Sequence, residues 1–198
     1  MFEERLAEFS RERLDGRPIP DDLRTMLVAQ WEGRTELCAL LGITLFESGK
    51  LHPLLDTGYL NEKELADPEM QAINAGAAKM AAYVKLVAEG GKGWIGYWLH
   101  PDEPADAPWP LIELDTEFTY WSMAGSTLAE ACAADIAQYQ DEPDEQAAFA
   151  VLSAQLAELG LPLSGDDYDD LHDPGYTVDP EELTDEFIDA ERAKRGIA

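Results

Sequence analysis

At Gly93 the spacing of apolar residues changes period, and that change restricts the chain to a fold that mixes helices with a sheet. Before it, Met70, Ile73, Ala77, Met80, Val84 and Val87 recur every three or four residues up to Gly90-Gly91, which is the stripe of one long amphipathic helix. Asp67-Pro68-Glu69 supplies its start: a capping carboxylate, a proline suited to the first turn and an acidic side chain at the positive end of the dipole. After Gly93, Trp94, Ile95, Tyr97, Trp98 and Leu99 are the bulky residues of a strand. A proline-rich loop follows from Pro101 to Pro110. Residues 111–115 and 117–123 then read as two further strands. Three strands in succession predict an antiparallel or mixed sheet of few strands packed against several helices, an α+β fold.

The flanks are helical. Phe2, Leu6, Phe9 and Leu14 mark an opening amphipathic helix ended by Gly16-Arg17-Pro18, and Asp21-Asp22 are placed to cap a second helix carrying Leu23, Met26 and Leu27. A third helical segment spans Thr35 to Leu41, while Ile43, Leu45 and Phe46 fit a buried helix or a short strand equally. Ser126 or Thr127 caps a helix containing Cys132, Ile136 and Tyr139, and Glu145 to Leu159 form an Ala-rich helix after a break at Asp141–Asp144. Composition shifts beyond Pro162. Residues 1–162 are expected to form the α+β domain, and 163–198 an acidic extension with a short helix at 181–195 whose apolar face is Leu183, Phe187 and Ile188.

Charge is distributed unevenly. The 198 residues carry 41 acidic and 14 basic side chains, a formal charge of -27, and no Lys or Arg lies between Lys92 and Arg192, where 25 Asp and Glu occur. Such a field repels nucleic acid and anionic membrane and attracts basic proteins. The chain opens without a basic segment leading into an apolar run, and nowhere do about 18 apolar residues follow one another. A soluble cytoplasmic protein is therefore expected. Cys38 and Cys132, each among apolar and Ala residues, are expected as two buried thiols.

The sequence holds little material for catalysis. His52, His100 and His172 stand at no ligand-like spacing, and the acidic run Asp166–Asp173 has Leu171 where a calcium loop needs an oxygen donor. There is no phosphate loop, dinucleotide fingerprint or nucleophile elbow. No catalytic residue, metal or cofactor is expected. Glu113, Asp115 and Glu117 alternate along the predicted strands, which places them on one sheet face with Ile112, Leu114 and Phe118 turned inward. That face is a solvated surface or, flanked by Trp109, Tyr120 and Trp121, a site for Arg and Lys side chains.

The order Gly93-Trp94-Ile95-Gly96-Tyr97-Trp98, a Pro-containing loop, Pro110-Leu111-Ile112-Glu113-Leu114-Asp115, an aromatic strand ending Met123-Ala124-Gly125-Ser126, and the helix from Thr127 to Cys132 resembles the SUKH superfamily over about residues 20–138. Thr116-Glu117-Phe118 stands where that pattern has an acidic residue followed by Gly. The resemblance implies a non-enzymatic α+β domain, many of whose bacterial members are immunity proteins that neutralise a cognate toxin. The expected partner is a basic protein, a toxin domain such as a nuclease, bound by occlusion through Asp102, Glu103, Asp106, Glu113, Asp115 and Glu117 with Trp109 and Trp121 as aromatic anchors. A regulatory or scaffold protein with an endogenous partner is the alternative, and a carboxylate-dependent hydrolase a more distant one.

Overall fold

A computed structural model describes residues 2–138, 145–165, 167–172 and 175–197. Three helices, α1 (Glu3–Arg13), α2 (Asp21–Trp31) and α3 (Glu36–Leu40), lead into strand β1 (Thr44–Leu45); a 3-10 turn at Pro53–Leu55 and α4 (Glu62–Ala66) precede α5 (Pro68–Met80). Strands β2 (Val84–Glu89), β3 (Trp94–Trp98), β4 (Leu111–Leu114) and β5 (Tyr120–Met123) follow, then α6 (Leu128–Gln138), α7 (Glu145–Glu158) and α8 (Pro180–Arg195). The five strands pair in chain order, all antiparallel, so β1 and β5 are the edges. This is the expected α+β class. The break at Asp141–Asp144, Tyr139 of the preceding helix, and the ends of the Asp166–Asp173 run lie outside the described residues.

Both faces of the sheet are covered. Ile95, Tyr97, Leu111 and Met123 pack with Leu6, Phe9, Leu27, Cys132, Phe149 and Leu156 from α1, α2, α6 and α7. On the opposite face Leu86, Trp98, Ile112, Leu114 and Tyr120 pack with Phe46, Leu54 and Met80, joined by Leu183 and Phe187 of α8. Two-sided burial accounts for the main departure from the sequence reading. The stripe expected as one helix to Gly90 breaks after Met80, and Val84 and Val87 belong to β2. A strand buried on both faces loses its polar alternation and cannot be told from a buried helix by period. Val84, Leu86, Val87 and Ala88 are all buried, and Gly90-Gly93 turns β2 back onto β3, with the Gly90 amide donating to the Gly93 carbonyl at 2.7 Å. Lys85, buried in the same strand, keeps its charge paired at 2.8 Å from Asp15.

Capping follows chemistry more than chain proximity. Asp67 caps α5 as expected, its Oδ1 accepting from the Glu69 amide at 2.8 Å. Asp22 does not cap its own helix. It sits in the first turn of α2, and its Oδ2 accepts from the Ala129 amide at 3.0 Å, so a carboxylate from α2 satisfies the N-terminus of α6, 107 residues away. The acidic extension is tied to the body by Glu130 of α6, which is buried and accepts from the amides of Ser126, Ser164 and Gly165, each at 2.8 Å, and from the Ser164 hydroxyl.

Candidate partner-binding surface

The eight residues read from the sequence as contacts occupy three separate places. Asp102, Glu103, Asp106 and Trp109 lie in the β3–β4 loop at one end of the strands. Asp115 and Glu117 lie in the β4–β5 turn at the other end. Glu113 and Trp121 face each other across β4 and β5.

Within the first group, Asp102 and Asp106 are exposed. Glu103 is a structural acceptor: it takes hydrogen bonds from Trp98 Nε1 at 3.0 Å and from the amides of Thr177 and Val178 at 2.9 and 3.2 Å, fastening the chain that enters α8. Trp109 is half-buried with its ring edge-on to Tyr97, 5.5 Å between centroids and 76° between planes.

The carboxylate row Glu113-Asp115-Glu117 is not a solvated face. All four residues of β4 are buried and Glu113 is 2 % exposed, because α6 covers the side onto which it projects. Burial raises the Glu113 pKa above the usual carboxylate range against the attraction of Lys92, and Asp135 adds to the rise. Lys92 bridges the pair, 3.7 Å from Glu113 and 2.7 Å from Asp135. Asp115 holds a turn, its Oδ1 accepting from the amides of Glu117 at 2.8 Å and Thr119 at 2.9 Å. Of the three, Glu117 is the exposed one.

That turn forms the wall between two depressions. On one side is a cleft of about 640 Å³ with Leu51, Pro53, Leu54, Tyr59, Trp94 and Phe118 in its wall and Lys50, Asp56, Asn74 and Thr116 as its polar lining. On the other is a groove of about 420 Å³ between the turn, α5 and α8, whose lining includes Glu117, Glu181 and Asp185 along with Met70, Ile73 and Ile188. Tyr59, Thr116 and Phe118 line both. Arg192, the basic residue on the groove, is already held by Glu69, whose Oε1 accepts from Nε at 2.9 Å, and by Asp189 at 2.9 Å; these bonds raise its pKa above the ordinary guanidinium value. Phe118 has φ +64°, a left-handed conformation rare for a bulky residue and of the kind found at functional turns. The surrounding surface is unusually apolar: Leu51, Leu55, Tyr59 and Leu65 are 54, 45, 69 and 45 % exposed, all within residues 51–65.

Tyr59, Phe118, Glu181 and Asp185 were not among the residues read from the sequence as contacts, Phe118 being expected to turn inward. Two signals existed. Glu181 and Asp185 stand four apart in a predicted helix and so share a face, and the loop between Gly49 and Asn61 places Leu51, Leu55 and Tyr59 outside any amphipathic pattern.

Among the described residues, no group of three or more His, Cys, Asp and Glu is arranged to hold a metal ion, and no helix is long and apolar enough to cross a membrane. Comparison of the chain with known protein families, with curated proteins and with solved structures finds no match.

Proposed function

We propose that this chain is a non-enzymatic binding protein that neutralises a basic protein toxin by stoichiometric occlusion, the role of the SUKH immunity proteins its sequence resembles. The observation that carries the reading is the groove with Glu117, Glu181 and Asp185 in its lining, beside a cleft onto which the exposed side chains of Leu51 and Tyr59 open. An apolar anchor region with a polar, charged rim is the composition of a protein-recognition surface. The fold class agrees with what the resemblance implies. A toxin that acts on nucleic acid must itself be basic around its substrate, and an acidic inhibitor gains steering and selectivity from the opposed field. Asp102 and Asp106 on the β3–β4 loop extend that field without forming part of the cleft.

The test is co-expression with the product of the adjacent reading frame in cells that the product arrests. Restored growth, a one-to-one complex in gel filtration and affinity that falls with added salt are the expected results, with rescue lost in a triple variant Glu117→Lys, Glu181→Lys, Asp185→Lys. Continued arrest together with no complex at low salt overturns the proposal.

A further inference from the structure

Resting on that reading, we infer that the cleft and the groove are two halves of one site that takes an extended partner segment, an aromatic side chain entering the cleft and an arginine two residues away entering the groove. The two depressions are not independent. They meet along Tyr59, Thr116 and Phe118, so a ligand spanning the crest touches both. On an extended chain, side chains two residues apart point the same way about 7 Å from each other, which suits pockets separated by one ridge of side chains.

The chemistry of each half is selective. The cleft, about 640 Å³, has Trp94, Phe118, Tyr59, Leu51 and Leu54 in its wall beside the polar Lys50, Asp56 and Asn74, and its rings suit a large aromatic side chain in a stacked or edge-on arrangement. The groove has Glu117, Glu181 and Asp185 in its lining together with Tyr59 and Phe118, and its Arg192 is already paired with Glu69 and Asp189. A guanidinium satisfies both features at once, its planar fork pairing with carboxylates while its face lies on an aromatic ring; a lysine ammonium has no planar fork. Tyr59 is set for this role, 69 % exposed yet tethered through its hydroxyl, which donates to Asn74 Oδ1 at 3.3 Å. The Asp115 carboxylate, by bonding the amides of Glu117 and Thr119, keeps Phe118 at the crest and Glu117 over the groove before any partner arrives. Pre-ordering of this kind removes part of the entropic cost of binding.

The experiment uses the full-length protein and fluorescein-labelled Gly/Ser peptides that carry one Trp and one Arg at increasing separations, read by fluorescence anisotropy at low salt. The expected result is tightest binding with one residue between the two, and affinity about tenfold lower when either is replaced by Ser or when Arg is replaced by Lys. Tyr59→Ser is expected to weaken the Trp-Arg peptide by a similar factor. Asp185→Asn weakens Arg-containing peptides and leaves the Trp-only peptide unchanged. Both side chains are at the surface, so circular dichroism should report an unchanged fold. An Arg-only peptide binding as tightly as the pair, indifference to Tyr59→Ser, or no binding by any peptide overturns the two-part site. If toxin rescue persists through such a failure, only this inference falls; loss of rescue removes the reading beneath it.

Discussion

Gly76 of α5 lies directly against the backbone of Ile188 in α8: a methyl group built at Gly76 would stand 2.7 Å from both the Cα and the amide nitrogen of Ile188. This is closer than any real carbon contact, and backbone cannot swing aside as a flexible side chain can. The absent side chain is what allows the two helices to touch, and through α8 it sets the position of Glu181 and Asp185 over the groove.

Gly76→Ala is therefore expected to destabilise the protein by about 1–3 kcal/mol, the usual range for overpacking a tight contact, despite the higher helix propensity of Ala. Urea unfolding checks the cost. Because Glu181 and Asp185 ride on α8, the same variant should weaken the binding of a basic partner even at urea concentrations where it remains folded.

Glu103 separates a structural role from a contact role. Its Oε1 accepts from Trp98 Nε1 and from the Val178 amide, and Trp98 is fully buried, so Glu103→Ala leaves an indole N–H without its acceptor. A loss of about 2 kcal/mol and a change in tryptophan fluorescence are expected. Partner affinity per folded molecule should be unchanged; a large fall in affinity with no loss of stability would return Glu103 to the contact surface.

Two buried carboxylates respond to pH in opposite directions. Burial pushes Glu130 up, but the hydrogen bonds from Ser164, Ser126 and Gly165 outweigh it and leave its pKa below the ordinary value. Its stabilisation is thus full above the unfolded-state pKa and lost as pH falls through the lower folded value. Glu113, raised chiefly by burial, behaves the other way: the folded state favours its protonated form, and stability declines as pH rises from its unfolded pKa to the higher folded one. Glu130→Gln should cost about 2 kcal/mol at neutral pH and close that gap as pH falls. Glu113→Gln should lose ground to wild type over the same change. Urea stability measured from neutral to acid pH distinguishes the two; parallel profiles for both variants would contradict the assignment.

Neither thiol should react readily in the folded protein. Both cysteines are free and buried, and burial pushes the Cys38 pKa up to about 11. Cys132 is raised further, by burial first and then by Asp135, Glu113 and Asp22. Since the thiolate is the reactive form, iodoacetamide near pH 8 should label both sites in urea. Under native conditions it should leave Cys132 unmodified, with Cys38 modified only slowly.

The partition of information follows from the range over which each interaction acts. Helix starts such as Asp67-Pro68, the strands at Trp94–Trp98 and Tyr120–Met123, the buried thiols and the docking face of residues 181–195 were legible because caps, period and composition act within a few residues. The acidic block from Gly93 to Glu191 was legible for the same reason, since charge is a property of the chain itself. The tertiary structure decided what depends on the second layer of packing. Helix α6 turned Glu113 from a surface acid into a buried one, coverage of both sheet faces made β2 a strand despite its helical spacing, and α2 lent Asp22 to a helix 107 residues away. The proposed binding surface belongs to this second kind. Tyr59, Trp94, Phe118 and the α8 pair Glu181 and Asp185 come from four separate segments, and no local pattern brings them together; a glycine contact between α5 and α8 and an aspartate-held turn do.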